Sequence, residues 1–311
     1  MTMARVKAST SRRNAPRPAG GDAGRDWQML AWMGMRWRVP RDWEVLHHST
    51  DPVRGRLILV DRRRQRMQLS WARLDSRPDI EQAIADHRSR DMTEDPEVEM
   101  TDLLRPHGWL GYTRFAEKGA LSRFTRYEPA LEYWIDLIVS HPARHDPNLD
   151  EALAAGFEAR TPGPDRPQHW RAFGLDVQTP PEWKLSSTAV NAGDVTLRFA
   201  EKDGPSEVVV RRLGMIDAWF LGDVQQWLRH HIGVMVEAEF TTVRRGNESA
   251  VKATSREPGT RWRRILGKLR IRRDMAWVCD TAKSLICVTT WSPDAEPVGP
   301  HEFEIDAWPM I

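Results

Sequence analysis

The chain has 311 residues, 40% hydrophobic and 29% charged, with a net charge of +2. That length suits two domains, and the composition excludes collagen, coiled coil and wholesale disorder. No apolar run of about 18 residues is present, so no membrane-spanning helix is expected, and two cysteines cannot build a disulfide scaffold.

Residues 1–25 set six basic residues against Asp22 alone. This is +5 within a total of +2, so residues 26–311 sum to −3 and the basic pI belongs to the arm. With almost no apolar residue after Val6, the arm cannot offset its ordering entropy and is expected to be a disordered basic tail. It lacks the apolar core of a secretory signal, and a cytoplasmic protein is expected.

The rest of the chain reads as two copies of one pattern. Met35-Arg36-Trp37-Arg38 leads into Val39-Pro40-Arg41-Asp42-Trp43. Leu175-Asp176-Val177-Gln178 leads into Thr179-Pro180-Pro181-Glu182-Trp183, 140 residues on. Each copy continues through a glycine into an alternating run, Gly55–Val60 and Gly193–Phe199, and then a third strand, Met67–Trp71 and Glu207–Arg211. Helices follow at a separation of 144. Ile80, Ala83, Ile84 and His87 make one apolar stripe, and Val224, Trp227, Leu228 and His231 make the other. Asp79 and Asp223 stand where an N-cap belongs. Residues 109–139 and 249–291 supply later strands. Leu149–Ala159 supplies one closing helix, and Phe303–Trp308 supplies its counterpart. The expected organisation is a tail over 1–25, a first unit over 26–161, a linker over 162–167 and a second unit over 168–311. The expected class is α+β: two duplicated units, each an antiparallel sheet covered by helices.

A strand ending in Pro-x-x-Trp, then a hairpin, one amphipathic helix and a returning meander, resembles the PsbP/Mog1/DcrB group of α/β/α sandwiches. The resemblance covers Trp37–Phe157 and Phe173–Trp308. It implies a binding module, since members of that group are mostly non-enzymatic subunits, regulatory factors and chaperones.

Motifs for catalysis are sparse. The chain has no nucleophile elbow, zincin helix, phosphate loop or dinucleotide fingerprint. His141 and His145 with Asp146 have ligand-like spacing, but Pro142 and Pro147 argue against the helical geometry a metal would need. His47-His48 and His230-His231 are adjacent pairs, whose members point to opposite faces when in a strand. Cys279 and Cys287 flank a hairpin turn and are expected as cross-strand partners, buried as free thiols.

The expected function is therefore a non-enzymatic protein-binding, adaptor or scaffold protein without metal or cofactor, and nothing indicates a small-molecule ligand. Tryptophan is abundant, at 15 against three tyrosines. The stretch from Trp27 to Trp37 concentrates Trp and Met at the start of the first unit, so Trp32, Met33 and Met35 are the expected partner-binding residues, with the basic tail steering approach. A second reading is nucleic-acid binding through the tail and a cationic strip: Arg261, Trp262, Arg263, Arg264, Lys268, Arg270 and Arg272. A third is an enzyme of unknown reaction.

Overall fold

Alternating apolar and polar residues run through most of the chain, and nearly every such run forms a strand. The computed structural model describes residues 25–161, 163, 166–233, 236–256, 270–293, 298–300 and 303–307. The arm of residues 1–24 lies outside these. The first half contributes β1 (Trp27–Trp32), β2 (Met35–Pro40), β3 (Glu44–His48), β4 (Arg54–Val60), β5 (Gln65–Arg73), α1 (Ile80–Glu94), β6 (Leu110–Ala116), β7 (Gly119–Glu128), β8 (Tyr133–His141), α2 (Pro147–Ala155) and β9 (Glu158–Ala159). The second half opens with β10 (Gln168–Ala172), β11 (Leu175–Thr179), β12 (Trp183–Asn191), β13 (Asp194–Glu201), β14 (Glu207–Leu213), α3 (Ile216–Trp219) and α4 (Val224–Ile232). It closes with β15 (Ala238–Arg245), β16 (Glu248–Arg256), β17 (Arg270–Cys279), β18 (Ser284–Pro293) and β19 (Glu304–Ala307).

Three antiparallel sheets result. One outer sheet runs β3-β4-β5-β8-β7-β6, and the other runs β12-β13-β14-β18-β17-β16-β15. The strand order is the same in both, with β15 added at the second sheet's edge. In the first half, Met100 and Leu104 form isolated bridges to Arg114 and Gly111 on β6, where the second half has β15 on β16. The third sheet, β19-β11-β10-β1-β2-β9, takes three strands from each half. Its middle pair sets Ala31 opposite Arg171, and these positions are 140 residues apart, the same spacing as the two Pro-x-x-Trp segments. The two halves thus meet in antiparallel fashion at equivalent positions of their patterns. The boundary expected at 162–167 divides the sequence but not this sheet.

The expected α+β class is overturned, because the structure is mostly β, with three large antiparallel sheets and four α-helices among the described residues. The inner faces of both outer sheets are covered mainly by the shared sheet, with Leu149, Leu153 and Ala154 of α2 completing the core of the first half. Leu57, Leu69 and Leu137 from one outer sheet and Leu197, Val210 and Val288 from the other join Trp32, Trp37, Trp170 and Val177 in one core. Helices cover only part of the outer faces. Ile84 of α1 packs on Leu110 and Tyr112, and Leu228 and Ile232 of α4 pack on Val251, Ala253 and Ala276. Asp79 and Asp223 cap these helices, accepting from the Gln82 and Gln226 backbone N–H groups. The expected closing helix around Phe303 is instead strand β19, because Ile305 alternates with Glu304 and Asp306 and the segment pairs with β11.

Two turns recur at the 140-residue spacing. Met33-Gly34 and Phe173-Gly174 join β1 to β2 and β10 to β11, with φ of 52° and 77° in one and 55° and 75° in the other. Both central residues are left-handed, as two-residue hairpins demand. Methionine and phenylalanine accept that conformation at a cost of about 1 kcal/mol each. The Pro-x-x-Trp segments form matching turns, the Trp43 N–H donating to the Pro40 carbonyl and the Trp183 N–H to the Pro180 carbonyl, both at 3.1 Å. Each indole is buried. Trp43 lies under the Arg66 guanidinium, and Trp183 meets Phe303 edge-to-face at 5.1 Å.

Replacing Trp43 or Trp183 by alanine is expected to destabilise the protein by about 3–5 kcal/mol, the range for emptying a buried aromatic site. Denaturant unfolding measures it. A loss below about 1 kcal/mol at either position would contradict this burial.

Candidate functional site

The residues expected to meet a partner are internal. Trp32, Met33 and Met35 are all buried, which removes them as a contact surface. The reason lies in the pairing of β1 with both β2 and β10, which turns this Trp/Met run into the middle of the shared sheet. The Trp32 indole N–H donates to the Ser49 carbonyl at 2.8 Å, and its ring meets His48, Trp170 and Phe173 edge-to-face. Of the expected nucleic-acid strip, Arg261, Trp262, Arg263, Arg264 and Lys268 lie outside the described residues. Arg270 donates to the Pro205 carbonyl. Arg272 clamps Asp274 through Nε at 2.9 Å and Nη2 at 3.0 Å, so its charge is already engaged.

His141 and His145 do meet a carboxylate, but it is Asp150 on α2 rather than Asp146. The His141 Nε2 lies 3.0 Å from Asp150 Oδ1, and the His145 Nε2 lies 2.8 Å from Asp150 Oδ2. The Ser122 hydroxyl donates to Asp150 Oδ2 at 2.5 Å and also lies 3.2 Å from His141 Nε2. Asp146 is instead the N-cap of α2, accepting from the Asn148 and Leu149 N–H groups at 3.1 Å. A residue that precedes a proline at helix position one is a capping signal, and reading it so would have released Asp146 from the cluster.

The protons decide what this cluster can do. The Asp146 backbone N–H points at His141 Nδ1, which must therefore be the acceptor, and the ring proton sits on Nε2 facing Asp150. Metal-ligating histidines usually show the reverse arrangement, with the far nitrogen donating to an acceptor. A serine relay needs the acid on Nδ1 and the hydroxyl on Nε2, whereas here both crowd Nε2. Ser122, His141 and Asp150 are also buried. The group ties α2 and the loop before it to β7.

A second cluster sits on the outer face of the second half, where His231, Asp274 and Cys287 converge beneath α4. At the matching place beneath α1 the first half has His87, Arg123 and Asp136, with Arg123 3.1 Å from His87 Nδ1 and forked onto Asp136. In the second half Asp274 is held by Arg272 and by the Thr289 hydroxyl at 2.6 Å. Burial pushes the Cys287 thiol up to about 12, so it remains protonated and unreactive. The two cysteines are not the cross-strand partners expected of them. Cys279 faces Ser284 and Cys287 faces Ala276, because the tighter turn shifts the register by three residues from the one that would pair them. Both are free and buried.

Among the described residues, the connection from β14 to α4 groups three exposed large apolar side chains on one short segment, whereas Leu46, Val53, Met92 and Leu103 are exposed on other segments. The first half makes this link in six residues, 74–79, and the second in ten, 214–223. The longer link forms α3 and leaves Leu221 98% exposed, Met215 64% and Trp219 40%. It is held, not loose: the Gly214 N–H donates to the Gly193 carbonyl at 2.7 Å, and the Trp219 indole donates to the Gly214 carbonyl at 2.9 Å. Val190, on the same β12–β13 hairpin as Gly193, is exposed as well. Sequence reasoning missed this segment. The signal was the separation between copies, which grows from 140 before the link to 144 after it.

Comparison with known proteins finds no matching family model and no similar curated protein. No helix among the described residues is long and apolar enough to cross a membrane.

The seam between the halves contains a pH-sensitive group. His48 Nε2 lies 2.5 Å from Thr188 Oγ1, again across a spacing of 140 residues. Burial, and then His47, lower the His48 pKa from the ordinary value near 6.5. Burial likewise lowers His87 and His231. The unfolded chain therefore takes up protons below about pH 6.5 that the folded state refuses. Stability is complete above that pH and is lost as pH falls below it. The denaturation midpoint is expected to drop between pH 7.5 and 5.5, where carboxylates remain ionised, and to drop less in His48→Asn. Equal slopes for wild type and variant would rule His48 out.

Proposed function

We propose that the chain is a non-enzymatic binding protein, an adaptor or scaffold, that engages a protein partner through the connection 214–223. The supporting observation is the exposure of Met215, Trp219 and Leu221 on one short, hydrogen-bonded link. Exposed large apolar side chains, tryptophan above all, anchor protein interfaces. Asp217 and Asp223 belong to the same link, and an anionic membrane surface would repel them. That favours a protein over a lipid partner. The engagement of His141, His145 and Asp274 in buried ion pairs and hydrogen bonds supports binding over catalysis. Two buried cysteines kept as free thiols suit a reducing compartment, which supports a cytoplasmic location as part of this reading.

The test is quantitative recovery of co-purifying proteins from the native host with tagged wild type and a Trp219→Ser/Leu221→Ser variant. Leu221 is almost fully exposed, so Leu221→Ser alone should unfold with an unchanged midpoint. Trp219 is only 40% exposed and bonded to Gly214, so the double variant is used once circular dichroism shows it folded. At least one specific partner should fall about tenfold or more. Identical recovery by a folded variant would remove this link as the binding surface.

A further inference from the structure

The face of the shared sheet turned away from the core is polar, and at one place its charges do not balance. Gly34, Arg36, Arg160, Thr161, Arg166 and His169 are among the residues lining an open concavity of about 330 Å³. It is built at the join of the halves: Thr161 ends the first, Pro167 leads into the second, and Gly34 is the turn between β1 and β2. The volume suits a small ligand. Three arginines line it, and among the described residues no carboxylate does.

The nearest acids among the described residues serve other groups. Glu158 Oε2 accepts from Arg160 Nε at 3.2 Å and Nη2 at 2.8 Å. Arg36 Nη1 stands 3.8 Å from that same oxygen, too far for a hydrogen bond. Asp176 is taken by His169 on one oxygen and by Arg171 on the other. Arg36 is left mostly buried, its Nε without a hydrogen-bond partner. A buried guanidinium nitrogen without a partner is costly unless something accepts its proton in a hydrogen bond. Burial, and then the neighbouring Arg160 charge, lower the Arg36 pKa, which is the tension an anion between the two would relieve. Arg166 adds a third guanidinium with exposed side chain.

We propose that this concavity binds a phosphate-type oxyanion, either free or carried by a small phosphomonoester. Arg36 supplies the buried fork, Arg160 and Arg166 supply charge from the rim, and His169 closes the side toward β11. Forked guanidinium donors match the oxygens of a tetrahedral oxyanion better than ammonium groups would. The site is independent of the 214–223 link, and either can fail alone.

Thermal unfolding followed by tryptophan fluorescence provides the test. Wild-type protein is titrated at pH 7.5 and constant ionic strength with inorganic phosphate and, separately, with glycerol 3-phosphate. Binding to the folded state alone raises the midpoint along a saturating curve. Arg36→Gln and Arg160→Gln are each expected to weaken the apparent affinity at least tenfold, whereas Arg62→Gln at the exposed β4–β5 turn should leave it unchanged. Should Arg36→Gln fail to fold, Arg160→Gln, whose side chain is largely exposed, carries the same test. A tighter response to glycerol 3-phosphate than to phosphate assigns the ester as the ligand form, and the reverse assigns the free anion. No response beyond that to chloride of equal ionic strength, or equal responses from wild type and Arg160→Gln, would overturn the proposal.

Discussion

The pairing of β1 with β10 is the contact on which the rest of this structure depends. It joins three strands of each half into one sheet, with Ala31 opposite Arg171, 140 residues apart. Trp32 makes the pairing specific. Its ring is fully buried against Trp170 and Phe173 of the other half, and its N–H is satisfied by the Ser49 carbonyl. An indole of that size, desolvated and hydrogen-bonded, is among the larger single contributions a core can contain. Because the outer sheets bury their inner faces on this shared sheet, neither half has a complete core alone.

Much of this was legible in sequence. Pro40-x-x-Trp43 and Pro180-x-x-Trp183 mark the same turn because the geometry needs a carbonyl acceptor at the proline and a large apolar group three residues on. Asp79 and Asp223 read as caps because a short carboxylate satisfies a helix N–H. The layer on the far side of each sheet was not legible. Alternation shows that one face of a strand is buried but says nothing of what buries it, so helices were assigned where a second sheet stands. Trp32 and Met35 were misplaced for the same reason: an apolar run at the start of a unit reads equally as a patch or as a strand at the centre of a sheet. Asp150 was out of reach because its meeting with His141 depends on how α2 docks against β7.

The halves keep the scaffold and differ at its edges. Beneath the helices, His87, Arg123 and Asp136 in one half face His231, Asp274 and Cys287 in the other, two ionic networks with different partners on matching strands. The link before the helix is short and polar in the first half, longer and apolar in the second. The join between the halves closes an arginine-rich concavity that neither half forms alone, since Arg36 and Arg160 come from one and His169 from the other. A shared sheet thus does more than double a fold. It creates a surface at the seam that a single unit would lack.

The central claim is that the halves form one cooperative body through the shared sheet. Hydrogen exchange of the full chain across a denaturant series, resolved by peptide, tests it directly. The account predicts that the buried strands β5 and β8 of the first half and β14 and β18 of the second lose protection at one common midpoint. Two separated midpoints, one for each half, would contradict it.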